Sequence, residues 1–376
     1  MLVSYRRYLG ILVVGILVAL LLSNVIPDPL GRGIWRGGAK HDADWFGRMH
    51  GQLQSAGLYL QDNFGFRASM PVVRREIRNA LDSPDTKNVY FGRNGQMFWS
   101  GQRAPEQSAG QLMRTEAVNR FVALMESLRS HLGPHGVKIV VALPPNAQSV
   151  DTDDLPKWQD SVPGRTTEYT VMLAELQKAG IATVDLRKVL KASPEPRRYL
   201  ANDTHWNNLS SVLAFNATLV AAGHPDWQVD VNKVIGPLKP MSVGDLARTL
   251  RLTPPLPDLN QELRLPAGIK KEPDPALRLK HEARGFNGYV IHFRKEGPRV
   301  LVIGDSYTVD TWPALFGYTP VSAAGWMHFS RTTFGACDFD YADIYNFKPD
   351  LVIIARTERM FACQDNDWPQ HLPPPQ

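Results

Sequence analysis

Helix-like and strand-like hydrophobic patterns alternate between about residue 116 and residue 355. The helical patterns cover 116–131, 166–179 and 208–222, and the short continuous apolar runs cover 137–143, 181–186, 299–303 and 350–355. Because strands that are buried on both faces are apolar throughout, such alternation indicates parallel strands that are connected and covered by helices. The pattern predicts an α/β domain with a mostly parallel sheet and flanking helices.

Two other segments have patterns of their own. Residues 88–99 form two short aromatic-rich runs around Asn94-Gly95, which predicts a β-hairpin. The stretch 236–279 is rich in proline, and it predicts a long irregular insertion that borders the functional site.

The N-terminus contains a long apolar run. Residues 8–26 carry no charged side chain and follow Arg6 and Arg7, so the run has the length of a membrane-spanning helix with a cytoplasmic N-terminus. A cleaved secretory signal is the alternative, but the run exceeds the roughly 7–15 apolar residues of such a signal and no Ala-x-Ala site follows it. In a bacterium, an uncleaved anchor would make this a single-pass inner-membrane protein with its main domain in the periplasm.

The predicted organisation is a cytoplasmic tip and transmembrane anchor at 1–27, a juxtamembrane helical lead-in at 28–84, the α/β domain at 85–367 and a proline-rich tail at 368–376.

Composition and charge narrow the class of protein. The chain is 43% hydrophobic and 21% charged, which is a globular balance. Its formal net charge of +5 is spread along the sequence without a Lys/Arg stripe, so no nucleic-acid partner is predicted. The two cysteines, Cys337 and Cys363, have no metal-ligand spacing, and both a single disulfide and two thiols remain open.

Two short motifs carry the candidate chemistry. Gly304-Asp305-Ser306-Tyr307 follows the apolar run 299–303, and Asp203-Thr204-His205-Trp206 lies about a hundred residues earlier. A serine hydroxyl needs an imidazole to take its proton and a carboxylate to orient that imidazole, so Ser306, His205 and Asp203 can act as nucleophile, base and orienting acid. We expect a helix to start directly after Ser306 and to stabilise an oxyanion; alternatively, Ser306 only caps that helix.

Other candidates lie near the ends of predicted strands. Asn146 can donate to an oxyanion or cap a turn, and either Arg356 or Arg359 can bind an anionic sugar or pair with Glu358. Tyr307 can contribute to a sugar-stacking surface or to the core. No further ligand spacing accompanies Asp203 and His205, so no metal site is predicted.

The motifs and their order resemble a known family. An Asp-x-His block that precedes a Gly-x-Ser block resembles the SGNH-hydrolase-like O-acetyltransferases of bacterial exopolysaccharide systems, the AlgJ and AlgX type. The similarity extends to the N-terminal anchor, 63–67, the hairpin at 89–98 and Glu358-Arg359. It implies an SGNH-hydrolase-like fold without a cofactor, in which Ser306 holds the acetyl group, His205 is its base and Asp203 orients that base. It also implies that a polytopic membrane acyltransferase supplies acetyl groups, which pass to sugar hydroxyls outside the cytoplasmic membrane.

The leading hypothesis is therefore a membrane-anchored periplasmic O-acetyltransferase that modifies an exopolysaccharide such as alginate. A polysaccharide acetylesterase could use the same three residues, because only the group that accepts the acetyl differs. A non-catalytic scaffold of an acetylation complex is the alternative from a different class of protein.

Overall fold

A computed structural model of the chain describes residues 13–15, 17–18, 88–156, 166–195, 197–250, 258–277, 286–330 and 341–361. Residues 13–15 and 17–18 are helical, and within the described ranges no helix has the length and apolar character that crossing a membrane requires. The greater part of the predicted anchor lies outside the described residues, as do the lead-in at 28–84, both cysteines and the tail. One compact unit is formed by 88–246 and 258–376, and a second combines 1–87 with 247–257.

The first unit is built on a sheet that, within the described part of the chain, has six strands in the order β4-β3-β10-β8-β9-β7. These strands are β3 (Lys138–Val141), β4 (Ala182–Thr183), β7 (Tyr289–His292), β8 (Arg299–Gly304), β9 (Ala323–His328) and β10 (Leu351–Ala355). Every neighbouring pair is parallel except β7 and β9, which are antiparallel. The predicted mostly parallel sheet is confirmed, with one antiparallel strand at its edge.

Helices pack against both faces of this sheet. The described helices are α1 (Ala104–Ser108), α2 (Thr115–Leu132), α3 (Ala147–Val150), α4 (Glu168–Lys178), α5 (Leu186–Lys191), α6 (Asn208–Ala221), α7 (Val231–Val234), α8 (Asp245–Thr249), α9 (Trp312–Leu315) and α10 (Tyr341–Phe347). In β8, Val300 and Val302 join the apolar cluster that contains α5 and α6, while Leu301 and Ile303 join the cluster that contains α2 and α4. Because successive side chains of a strand point to opposite faces, this arrangement explains why β8 is apolar at every position.

The predicted hairpin is present. β1 (Val89–Phe91) pairs antiparallel with β2 (Met97–Trp99). Asn94 and Gly95 in the connecting turn both have positive φ, 54° and 77°, which is the backbone that an Asn-Gly hairpin turn requires.

The predicted insertion at 236–279 is not irregular throughout its described part. This stretch contains a two-stranded antiparallel ribbon, β5 (Ile235–Pro240) with β6 (Leu259–Leu263), and α8 lies between the two strands in sequence. Proline is compatible with a strand whose N–H side needs no partner, so Pro237 and Pro240 can stand in a two-stranded ribbon. The predicted strand at 181–186 is also shorter than expected, because Asp185 caps α5 by accepting a hydrogen bond from Arg187 N at 3.1 Å.

Candidate active site

Ser306 lies at the carboxyl end of β8, in the middle of the parallel sheet. The preceding residue, Asp305, fixes the turn: its Oδ1 accepts from Tyr307 N at 3.1 Å, and its Oδ2 accepts from Thr357 N at 2.8 Å and from the Thr357 hydroxyl. No helix starts directly after Ser306. The next helix, α9, begins only at Trp312. Both predictions that relied on such a helix, the oxyanion site at its N-terminus and the capping role of Ser306, are therefore wrong.

His205 and Asp203 lie in a loop that is closed by hydrogen bonds at its base. Tyr199 and Trp206 form an isolated β-bridge across this loop, and the Asn207 side chain caps α6 by accepting from Ser210 N at 2.8 Å. Trp206 Nε1 also donates to Tyr307 O at 3.2 Å, which ties the histidine loop to the serine turn. The two motifs are thus brought together although about a hundred residues separate them.

Asp203, His205 and Ser306 form a continuous hydrogen-bonded chain. His205 Nδ1 lies 2.6 Å from Asp203 Oδ1, and His205 Nε2 lies 2.8 Å from Ser306 Oγ. This network assigns the proton to Nδ1, which donates to the carboxylate, and leaves Nε2 to accept from the serine hydroxyl. The contacts expected from the motifs are present; the catalytic roles stay a prediction.

The ionisation of this pair suits a base and its orienting acid. Burial acts to lower the pKa of His205, but the hydrogen bond and charge of Asp203, together with the charge of Asp245, raise this pKa above its usual value. Burial acts to raise the pKa of Asp203, yet the hydrogen bonds from His205 hold it below its usual range. The folded structure therefore favours an ionised Asp203 beside an imidazole that readily takes up a proton.

A second carboxylate, which the sequence analysis missed, contacts the same loop. Asp245, the first residue of α8, accepts from Thr204 N at 2.8 Å and from Thr204 Oγ1 at 2.6 Å. Its own backbone N–H donates to Asp203 Oδ2 at 3.0 Å, and its Oδ2 lies 3.9 Å from His205 Nδ1. Asp245 thus fixes Asp203 and Thr204 by hydrogen bonds and places a negative charge close to His205. The sequence offers only Gly244-Asp245 in a proline-rich stretch, which carries no local signal of this role.

Three side chains of the site also have the chemistry of metal ligands. Asp203, His205 and Asp245 each offer one possible ligand atom, and these three atoms lie within 4.8 Å of one another. Both imidazole nitrogens already make hydrogen bonds, one to Asp203 and one to Ser306. His205 would have to give up one of these bonds to ligate an ion, so this geometry is that of a base and its partners rather than of an open metal centre.

Tyr307 contributes to positioning and not to an exposed sugar-stacking surface. Its side chain is buried, its hydroxyl donates to Thr204 O, and the same hydroxyl accepts from Arg359 Nη1 at 3.2 Å. Burial raises the pKa of Tyr307 to about 12, so the hydroxyl stays protonated and able to donate. The ring also lies 4.9 Å from that of His205, centroid to centroid.

Arg356 lies in the interior, which corrects its assignment as a sugar-binding candidate. Only 2% of the residue is exposed, and its guanidinium lies 4.4 Å from the centre of the Phe329 ring. The alternative expectation was an ion pair with Glu358, but the Glu358 carboxylate accepts from Asn146 N at 2.7 Å and from Ser149 Oγ at 2.8 Å. Burial raises the pKa of Glu358.

Asn146 lies directly before α3, but its side chain makes no capping hydrogen bond, so that alternative is wrong. Its Nδ2 is 3.4 Å from Gln107 Oε1, and its buried Oδ1 has no partner among the described residues. Asn146 lines a small cavity that Asp203, Thr204 and Arg359 also line. It is therefore close to the serine–histidine–aspartate chain, and its role as an oxyanion donor stays a prediction.

The site combines an α/β sheet with a serine at the end of a central strand and a histidine that bonds both this serine and an aspartate, which is the arrangement expected of an SGNH hydrolase-like domain. The family described as "SGNH hydrolase-like domain, acetyltransferase AlgX" matches residues 89–315, which is more than half of the chain. The chain belongs to this family, as its motifs predicted.

Known relatives agree with this assignment. The probable alginate O-acetylase AlgJ of Pseudomonas putida is 26% identical over 232 residues, which cover 59% of this chain and 55% of that protein. The chain thus spans about half the length of this relative. A DHHW family protein from Eubacterium siraeum has a TM-score of 0.52 at 14% identity, and the match covers 75% of this chain and 94% of that one. The O-acetyltransferase domain of Pseudomonas putida AlgJ has a TM-score of 0.48 at 18% identity, with 74% and 94% covered. At 14% identity, the match to the Eubacterium siraeum protein shows a shared fold.

Proposed function

We propose that this chain is a serine-dependent O-acetyltransferase that acetylates hydroxyl groups of an exopolysaccharide such as alginate. The observation that carries the proposal is the unbroken hydrogen-bonded chain from Asp203 through His205 to Ser306, with distances of 2.6 and 2.8 Å. Membership of an acetyltransferase family supports acetyl as the transferred group.

The first half of the reaction loads the serine. His205 Nε2 takes the hydroxyl proton while Ser306 Oγ forms a bond to the carbonyl carbon of the acetyl donor. The bond between that carbon and the donor's leaving group breaks, and the leaving group receives the proton from the imidazolium. Tyr307 N–H is already bound to Asp305, so we assign the developing oxyanion to the backbone N–H of Ser306, a contact worth about 3 kcal/mol.

The second half unloads the serine onto the sugar. An acceptor hydroxyl gives its proton to His205 and attacks the acetyl carbonyl, and Ser306 Oγ leaves and recovers that proton. Asp203 stays ionised in both halves and stabilises the imidazolium. Water in place of the sugar would make the same site an acetylesterase, so the acceptor decides between transfer and hydrolysis.

The cellular setting belongs to the same proposal. The uncharged run at 8–26 would anchor the chain in the inner membrane and place the α/β domain in the periplasm. A polytopic membrane acyltransferase would supply the acetyl group at that surface. The motif similarity to AlgJ and AlgX supports this arrangement.

Intact-mass measurement of the full-length chain tests the chemistry. The chain is incubated with an activated acetyl ester, with and without an oligosaccharide acceptor, beside Ser306→Ala and His205→Ala. Ser130→Ala is the matched control, because Ser130 is an exposed residue of α2. We expect an acetyl adduct on the wild type and on Ser130→Ala that is absent from Ser306→Ala and that moves to the sugar.

Two other results would identify the protein as an acetylesterase or as a non-catalytic scaffold. An adduct that water removes at the same rate with or without sugar indicates an esterase. If neither the wild type nor Ser306→Ala gains the mass of an acetyl group under any condition, and acetylation of the polymer is lost on deletion of the chain but not in Ser306→Ala, the chain is a scaffold and the proposal is refuted.

A further inference from the structure

The buried side chain of Asn146 contains an acceptor that receives no hydrogen bond from the described part of the chain. Only 1% of the residue is exposed, and the atom concerned is Oδ1. Asn216, another buried asparagine, uses both atoms of its amide: Oδ1 accepts from Val229 N at 2.8 Å, and Nδ2 donates to Val229 O at 2.9 Å. Because an unpaired buried acceptor is costly, an atom such as Asn146 Oδ1 indicates a bound water or ion as its partner.

Neighbouring side chains fix which edge of the Asn146 amide carries this acceptor. Gln107 Nε2 donates to the Glu168 carboxylate at 3.1 Å, and that carboxylate pairs with Arg114 at 2.8 Å, so Gln107 turns its Oε1 the other way. Asn146 Nδ2 lies 3.4 Å from this Oε1 and 3.5 Å from Ser108 Oγ. Exchanging the two amide atoms of Asn146 would set its oxygen against the Gln107 oxygen, so Oδ1 lies on the edge away from Gln107.

The acceptor edge of Asn146 faces a small cavity. Asn146 lines this cavity, whereas Gln107 and Ser108 do not, so the cavity lies on the Oδ1 side of the amide. It has room for about one water molecule. Its wall also includes Met97, Phe98, Leu246 and Arg359. A ligand of this cavity is therefore a single small molecule that can donate a hydrogen bond to Asn146 Oδ1.

Arg359 supplies the donors that a water molecule in this cavity needs. A guanidinium has five N–H groups, and among the described residues Nη1 donates to the Tyr307 hydroxyl at 3.2 Å. A water molecule both accepts and donates, so one molecule can accept from Arg359 and donate to Asn146 Oδ1. Buried waters make two to four such bonds, and Asp203 and Thr204 are further polar residues of the same wall.

We propose that one water molecule binds in this cavity as a fixed part of the site, where it accepts a hydrogen bond from Arg359 and donates one to Asn146 Oδ1. Asn146 is then the acceptor for this water and not a donor to the oxyanion. The water connects the segment after β3 with the segment after β10, and through Arg359 and Tyr307 it supports the position of His205. The water site does not depend on the proposed function, whereas the kinetic part of its test rests on that function.

Crystal structures of the full-length chain in detergent, at a resolution that shows ordered water, test the site without catalysis. Asn146→Leu keeps the size of the side chain and removes the acceptor, and Asn232→Leu makes the same exchange at an exposed residue of α7. We expect one water peak within hydrogen-bond distance of both Asn146 Oδ1 and an Arg359 nitrogen in the wild type and in Asn232→Leu, and none in Asn146→Leu. A wild type without this peak, or with the shorter contacts of a metal ion there, would overturn the proposal.

The value of kcat for a chromogenic acetyl ester separates the two roles of Asn146. Loss of the water link should lower kcat less than about tenfold in Asn146→Leu, as the loss of one ordinary hydrogen bond predicts. A larger fall, toward the roughly 10²–10³-fold that loss of an oxyanion donor causes, would show that Asn146 is such a donor and would overturn the proposal. Thermal unfolding establishes that each variant is folded. If the wild type does not turn over the ester, the proposed function fails, and the crystal structures still decide whether the water site exists.

Discussion

Replacing Asp245 with asparagine removes a negative charge next to the general base without changing the size of the side chain. Asp245 Oδ2 lies 3.9 Å from His205 Nδ1, and although burial of His205 disfavours its charged form, the Asp203 and Asp245 charges favour it. We therefore expect Asp245→Asn to lower the pKa of His205. The unprotonated base then persists to lower pH, so the acidic limb of the pH–rate profile moves to lower pH.

The magnitude follows from the distance and the exposure of the two groups. Unit charges 3.9 Å apart interact by about 1 kcal/mol in a water-like medium and by about 4 kcal/mol at the effective dielectric of a protein surface. The side chains of His205 and Asp245 are 28% and 35% exposed, so solvent screens them and the lower figure applies. An interaction of about 1 kcal/mol corresponds to a roughly fivefold change in the ratio of imidazolium to imidazole.

The assay is kcat/KM for a chromogenic acetyl ester, measured against pH with the full-length chain. Asp258→Asn is the matched control, because Asp258 also anchors this loop, accepting from Asn202 N at 3.0 Å, but bonds neither Thr204 nor His205. We expect the acidic limb to shift for Asp245→Asn and not for Asp258→Asn. A limb that stays in place for Asp245→Asn, or that moves to higher pH, would refute the electrostatic argument.

Three further substitutions probe the site and the fold. Asp203→Asn should lower kcat/KM for the same ester roughly 10⁴-fold, because an amide donates to His205 Nδ1 and leaves the proton on the wrong nitrogen; a loss below about tenfold would contradict this. Burial raises the pKa of Asp151 from 3.8 to about 6, despite the charge of Arg198. The folded state therefore holds this proton more tightly than the unfolded state, so the free energy of unfolding falls as pH rises from 3.8 to about 6. Asp151→Asn should remove this fall, on the order of 3 kcal/mol, from urea unfolding curves measured between pH 4 and pH 7. Gly304→Ala should lower the free energy of unfolding by about 1–3 kcal/mol in thermal scans, because the added Cβ would overlap the turn after β8; an unchanged midpoint would show that the turn can move.

Two of the predicted strands, β8 and β10, have side chains that by themselves reveal burial on both faces. β8 and β10 contain mostly Val, Ile and Leu, and both lie in the middle of the sheet between parallel neighbours. The pattern missed β9, which reads Ala-Ala-Gly-Trp-Met-His and is equally buried. Its small residues make room for bulky neighbours, as Gly325 does for Phe347 and Leu277. Tertiary packing and not β-propensity selects such residues, so a single sequence does not show this strand.

The candidate site was predictable where its chemistry lies within one motif. Asp203 and His205 are two residues apart, and one loop sets their 2.6 Å hydrogen bond. Contact with Ser306 required the fold, but the serine at the end of an apolar strand indicated where that contact would lie. Arg356 and Arg359 follow the same strand three residues apart, yet one is enclosed in the core and the other lines the cavity. Which of the two faces the site depends on how the chain turns after β10.

The hydrogen bond from Asp245 N to Asp203 Oδ2 serves both residues, and neither residue type alone predicts it. The first N–H groups of a helix lack acceptors within it, and Asp245 N, at the start of α8, finds one in Asp203 Oδ2 at 3.0 Å. An orienting carboxylate in turn needs donors to stay ionised when partly buried, and this N–H joins His205 in supplying them. Because each group satisfies the other, the start of α8 and the charge of Asp203 depend on the same hydrogen bond. The proline-rich segment, which the sequence predicted to border the site, is therefore coupled to the ionisation of Asp203.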